Sequence, residues 1–262
     1  MLFRAIVHPL PVLMVSGVVA CLAGCAASAE APERASASTA APAIALPEAD
    51  NDYLSPEQVA DITGFPGGAQ LSFERLSDGT HTGSANERFP RPALSLIKLY
   101  IADFVLAQDN EDDKDLARIM ISDSDDYAAD TLYAKYPESI ATTVAHYGLW
   151  STHDAELWGN SVTSTYDAVK FIRIKLQRDP DSPILAAMRE KHEVAADGYA
   201  QNFGTSVLPR AEGTKWGWSD DLMLHSSISF GDDYVAAAAV MGSAEDLTAL
   251  VERQLGPALA AP

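Results

Sequence analysis

Cysteine is almost missing from this chain: the two present, Cys21 and Cys25, both stand near the N-terminus. The globular part therefore has neither thiol chemistry nor a disulfide. Basic residues are scarce too, 18 Lys and Arg against 37 Asp and Glu, for a net charge of −19. That balance argues against nucleic acid or an anionic lipid surface as the main partner. Histidine is limited to six residues, no two of which have metal-ligand spacing. The acidic run Asp109 to Asp115 lacks the glycine and terminal glutamate of a calcium loop, and a solvated loop is its expected form. Neither a metal nor a cofactor is implied. What is present suits a folded protein. Hydrophobic residues make up 47% of 262 and charged residues 21%, enough for one large domain or two small ones with an ample core.

Residues 1–24 have the form of an export signal. Arg4 supplies a positive start, and Pro9 to Ala20 is apolar apart from Ser16. That run is too short and too interrupted by proline for a comfortable membrane span. Leu22-Ala23-Gly24-Cys25 resembles a bacterial lipobox, which implies lipidation of Cys25 and an exported, lipid-anchored protein. The location implied is the outer face of the cytoplasmic membrane or a periplasmic membrane face. Simple secretion after an Ala-x-Ala site is the alternative. Residues 25–52, nearly all Ala, Ser, Pro, Glu and Thr after the cysteine, show no apolar periodicity and read as a disordered tether. As a coil it would span roughly 30 Å.

Residues 53–262 read as one folded unit, with a sheet part at 53–91 and 200–262 and a helical part at 92–199. Ser55-Pro56-Glu57-Gln58 has the form of a helix start. Ala69 to Leu76 alternates apolar and polar residues as a half-buried strand does, Asp78-Gly79 is a hairpin signal, and Thr80 to Phe89 is expected to return as a second strand. Helical segments follow at Leu94–Leu106, Leu116–Ile121, Tyr127–Lys135, Ile140–Tyr147 and Tyr166–Leu176. Strands are expected again at Gly213–Ser219, Leu222–Phe230 and Tyr234–Met241. Ser243 then opens an amphipathic helix burying Leu247, Leu250, Val251 and Leu255. The economical solution is an α+β fold: a five-stranded antiparallel sheet with terminal helices, built from both chain ends, with an all-helical domain inserted.

Within Pro92 to Tyr100, an otherwise apolar run carries Ser95 and Lys98 three residues apart, on one helical face. A serine hydroxyl becomes nucleophilic when a base takes its proton, and a lysine of depressed pKa can be that base. Downstream stand Ser124-Asp125-Asp126 and Lys215-Trp216-Gly217, the latter after Leu208-Pro209. In order and context these resemble the Ser-x-x-Lys, Ser-Asp-Asn and Lys-Thr-Gly motifs of the penicillin-recognising serine enzymes, the class A β-lactamases and DD-peptidases. The resemblance spans residues 55–260. It implies Ser95 as nucleophile, Lys98 as base, Ser124 as proton relay and Lys215 as a second cation that lowers the Lys98 pKa and attracts an anionic substrate. It also implies an oxyanion site between the N–H groups of Ser95 and Trp218, and close approach of the substrate backbone at Gly217.

Three departures concern the substrate side. Asp126 replaces an asparagine, and a carboxylate only accepts where an amide also donates. It could instead pair with Lys98 or Lys215. Trp216 replaces the threonine and shares a strand face with Trp218, so either two indoles meet the substrate or both fill a gap. The family's loop glutamate, which activates the deacylating water, has only Glu156 as a candidate here. The reading that results is a monomeric cell-envelope lipoprotein performing serine acyl transfer on a peptidoglycan-related amide or ester, or a β-lactam. The alternatives are a catalytically degenerate binding protein of the envelope and a true class A β-lactamase.

Overall fold

The computed structural model describes residues 68–260. The expected export signal, Cys25, the expected tether and the helix expected from Ser55 lie outside the described residues.

The chain opens on β1 (Gln70–Arg75) and β2 (His81–Gly83), paired antiparallel. The second strand is much shorter than its alternating sequence suggests. After Gly83 the backbone turns: Ser84 Oγ donates to Asn86 Oδ1 at 2.7 Å, and Glu87 swings inward to accept from Ser72 Oγ at 2.8 Å. A short β3 (Arg91–Pro92) then leads into a 3-10 turn, Leu94–Ile97, which continues as α1 (Lys98–Leu106).

α2 (Glu111–Ser122) corrects the expectation of an acidic loop. Asn110 caps it by accepting from Asp113 N at 3.1 Å. Glu111, Asp112 and Asp113 fill its first turn, where the positive end of the helix dipole favours acids. α3 (Asp126–Lys135) is capped by Asp125, and α4 (Ser139–Tyr147) ends on a left-handed Gly148. A short β4 (Val162–Thr163) pairs with β3, then α5 (Thr165–Arg178) and α6 (Pro183–Arg189) complete the helical block. α6 lies outside the helical segments that the sequence periodicity predicts.

β5 (Ala211–Trp218), β6 (Leu224–Gly231) and β7 (Tyr234–Met241) finish the sheet, in the order β2-β1-β7-β6-β5 with every neighbouring pair antiparallel. β6 begins two residues later than the alternation suggests, because Ser219–Leu222 is a turn with Leu222 at φ +56°. β6 and β7 are joined by Asp232-Asp233.

Period-2 alternation sends Ile228, Phe230, Val235 and Ala237 into the core shared with α1–α6. It sends Trp216, Tyr234, Ala236 and Ala238 to the opposite face, beneath α7 (Ala244–Ala260). There Leu247, Leu250, Val251 and Leu255 are all buried, as the periodicity implies. β5 is left as a sheet edge, and the 3-10 turn carrying Ser95 packs against that edge. Among the described residues no helix is long and apolar enough to cross a membrane.

Candidate active site

Ser95 lies in the first turn of the Leu94–Ile97 helix. In a 3-10 turn, side chains at i and i+3 eclipse, so Lys98 sits beneath Ser95. The entry into this turn is strained: Leu94 has φ +52°, a region costly for a branched side chain. Ser95 is 9% exposed, and among the described residues its hydroxyl has no hydrogen-bond partner. Lys98 is fully buried, and its amine donates to the Ser124 carbonyl at 2.6 Å and to Asp126 Oδ1 at 2.5 Å. Burial pulls the Lys98 pKa below the usual lysine value, and the opposing pull of Asp126, then Asp125 and Asp197, offsets only part of that.

Ser124 links two elements. It occupies the loop between α2 and α3 at φ +54°, a second strained non-glycine residue at the same site. The left-handed backbone points its carbonyl at Lys98 and its hydroxyl at Lys215, whose amine donates to Ser124 Oγ at 2.6 Å and to Trp216 O at 3.0 Å. Lys215 is wholly buried. Burial first, and the neighbouring Lys98 second, hold its amine well below the lysine range. Two amines and two hydroxyls are thereby gathered from α1, the α2–α3 loop and β5.

The edge of β5 completes one wall. Ser219 N donates to Leu224 O, so by antiparallel alternation the N–H of Trp218 points away from β6, toward the open edge. A Cβ on Gly217 would stand 2.9 Å from Ser95 N and 2.8 Å from Leu94 Cβ. Only glycine lets the strand pass this close to the helix start.

Above Ser95 opens a cleft of about 420 Å³, lined also by Asp126, Asp130, Trp158, Asn160, Asp197, Trp218 and Asp220. Its two indoles are fixed by carboxylates. Trp158 Nε1 donates to Asp130 Oδ1 at 2.7 Å, and Trp218 Nε1 donates to Asp197 Oδ2 at 2.9 Å.

No family model matches the chain, and no curated protein matches it. Solved structures do. The β-lactamase from Burkholderia vietnamiensis matches with a TM-score of 0.57 at 13% identity, over 73% of this chain and 93% of that one. The β-lactamase from Desulfarculus baarsii gives 0.59 at 11% identity, over 74% and 92%. Penicillin-binding protein D2 from Listeria monocytogenes, in its cefotaxime-bound form, gives 0.56 at 16%, over 73% and 97%. This is the β-lactamase/penicillin-binding-protein fold.

Within that fold, the structure brings together Ser95, Lys98, Ser124, Asp126, Lys215, Gly217 and Trp218. Two expected residues fall elsewhere. Trp216 is 1% exposed, its indole buried on the α7 side of the sheet against Phe203, to whose carbonyl oxygen it donates at 2.9 Å. It does share a face with Trp218, but that face is the α7 side of the sheet. Only Trp218, at the end of β5, reaches the cleft. Glu156 is exposed and outside the cleft lining, while Asn160, four residues on, is inside it.

The expectation that Lys215 lowers the pKa of Lys98 is also reversed. Lys215, with no carboxylate bonded to it, is the more depressed amine, and Lys98 is the one paired with Asp126. Asp130, Trp158, Asp197 and Asp220 escaped the sequence reading. They come from four separate stretches of chain and form no motif.

Proposed function

We propose that this β-lactamase-fold chain is a serine acyl-transfer enzyme of the cell envelope acting on a peptidoglycan-related amide or ester. The observation that carries the proposal is Ser95, nine-tenths buried and lining the cleft one 3-10 turn before the buried Lys98, with no partner for its hydroxyl among the described residues. In the reaction, Ser95 Oγ bonds to the substrate carbonyl carbon while its proton passes to a neutral Lys98 amine. The carbonyl oxygen becomes an oxyanion, and the N–H groups of Ser95 and Trp218 are its donors. As the carbon–nitrogen or carbon–oxygen bond breaks, Ser124 gives its hydroxyl proton to the leaving group and takes one back from the Lys98 ammonium beside it, which returns to the neutral amine, with Lys215 holding the Ser124 hydroxyl in place. Water then hydrolyses the acyl-enzyme. Penicillin-binding protein D2 is described in cefotaxime-bound and ampicillin-bound forms, which supports a β-lactam or peptidoglycan-related ligand for this chain.

The Leu22-Ala23-Gly24-Cys25 sequence supports anchoring through a lipid on Cys25, with the domain held off the membrane as a monomer on its tether. Unchanged membrane partitioning of Cys25→Ser would remove that part of the proposal.

A second reading, a binding protein that no longer turns over, draws on two observations. Lys98 is engaged by Asp126, and no glutamate stands in the cleft for deacylation. Steady hydrolysis of activated esters or nitrocefin, abolished in Ser95→Ala, supports the enzyme. Ligand binding without turnover in both proteins supports the second reading.

A further inference from the structure

The charge inside the cleft is opposite to what a carboxylate-bearing ligand needs. Among the described residues, four acidic side chains, Asp126, Asp130, Asp197 and Asp220, line it, and no Lys, Arg or His does. The two amines of the site lie behind the wall at 0% exposure, committed to Asp126, Ser124 and the Trp216 carbonyl. An anionic ligand entering here would meet repulsion and find no exposed cation to pair with.

The aromatic walls point the same way. Trp158 and Trp218 each have the indole N–H tied to a carboxylate. An indole face attracts cations, and the Lys98 amine already lies 4.9 Å from the centre of the Trp158 ring. A neighbouring cavity of about 380 Å³ shares Asp197, Trp218 and Asp220 with the cleft and adds Tyr199, whose ring lies 4.9 Å from that of Trp218. The acids are spread around the walls rather than converging. Among the described residues, no group of three or more His, Cys, Asp or Glu is placed to hold a metal ion. Dispersed carboxylates beside aromatic faces suit a bulky organic cation. The unbonded Ser95 hydroxyl, nine-tenths buried and lining the same cleft, marks where the reacting carbonyl belongs.

We infer that the cleft takes a cationic acyl compound, an amide or ester whose ammonium sits between Trp158, Trp218 and the four aspartates while Ser95 attacks its carbonyl. This rests on the acyl-transfer reading and narrows its substrate class to cationic amides and esters, which sets the carboxylate-bearing β-lactams aside as ligands.

The test uses three p-nitrophenyl esters of equal chain length, ending in an ammonium, a methyl or a carboxylate, at low ionic strength. The ammonium ester acylates Ser95 faster than the carboxylate ester by on the order of 10- to 100-fold. The ratio contracts with added salt and in Asp130→Asn/Asp220→Asn, because asparagine keeps an acceptor for the Trp158 N–H and loses the charge. Equal rates, or a faster carboxylate ester, overturn the inference while leaving acyl transfer intact.

If no ester acylates the protein, acyl transfer fails, and binding then decides the ligand class. Benzyltrimethylammonium and benzoate are titrated against Ser95→Ala by tryptophan fluorescence. Saturable quenching by the cation alone supports a cation site. Binding of benzoate, or of neither, overturns it.

Discussion

Asp126→Asn is the sharpest single perturbation of this site, because it installs the amide of the Ser-Asp-Asn motif that this stretch resembles and removes the negative charge beside Lys98. Asp126 Oδ1 lies 2.5 Å from Lys98 Nζ, with the carboxylate side chain 64% exposed and the lysine side chain fully buried. Unit charges about 4 Å apart interact by about 4 kcal/mol at an effective dielectric of ~20 and about 1 kcal/mol in water. The exposure of Asp126 places this pair toward the lower end, about 1–2 kcal/mol. The sign follows from the role of Lys98. The amine is a base only when neutral, and Asp126 favours its charged form, so removing the carboxylate lowers the Lys98 pKa further. At a fixed pH on the rising limb of the rate profile, the neutral fraction, and the acylation rate with it, increases about 10-fold. The limb itself moves to lower pH.

The assay is the pH dependence of single-turnover acylation by an activated neutral ester, which leaves the charge of the ligand out of the comparison. Global stability should change by no more than about 1–2 kcal/mol, the worth of the pair, since the carboxylate is largely in water. A limb that stays in place or moves to higher pH would refute Lys98 as the base controlled by Asp126.

Lys215→Met, which replaces a buried amine by an apolar chain of similar length, should lower acylation by about 100-fold or more without loss of thermal stability; a near-wild-type rate would remove Lys215 from the proton path. Gly217→Ala should cut acylation at least ~10-fold while the protein still folds, because the new methyl presses on Leu94 and Ser95 N; unimpaired acylation would contradict the close approach of β5. His81 offers a stability test away from the site. Burial pulls its imidazole down, but the carboxylates of Glu74 and Glu87 outweigh that and raise its pKa from 6.5 to about 9. The bound proton therefore stabilises the fold fully below about pH 6.5, and that contribution, about 3 kcal/mol, is lost as pH rises through about 9. Denaturant melts at pH 6 and pH 9.5 should show the loss in the wild type and a flatter response in His81→Gln; parallel slopes would dismiss the pair.

What could be read from the sequence divides along the range of the forces involved. The Ser95–Lys98 spacing, the Ser243 helix start and its Leu247-Leu250-Val251-Leu255 stripe are local periodicities, and the structure keeps them. Asp109 to Asp115 misled because dense charge suggests a solvated loop, whereas acids in a first turn behind an asparagine cap stabilise a helix. Trp216 misled for another reason. Alternation says that two residues share a face but not what covers that face, and here Phe203 covers Trp216 on the side of the sheet that carries α7. The acidic walls of the cleft were out of reach altogether. Asp130 from α3, Asp197 from a loop after α6 and Asp220 from the turn after β5 meet only through tertiary packing, and single aspartates carry no pattern.

The central claim is that Ser95 is the acyl-accepting nucleophile. The most direct measurement is intact-protein and peptide mass spectrometry after native exposure to a fluorophosphonate and to an activated ester. The account predicts one adduct per chain, on the peptide containing Ser95, absent in Ser95→Ala and strongly slowed in Lys98→Met. An unmodified Ser95 under native conditions with both reagents, or an adduct that persists in Ser95→Ala, would contradict it.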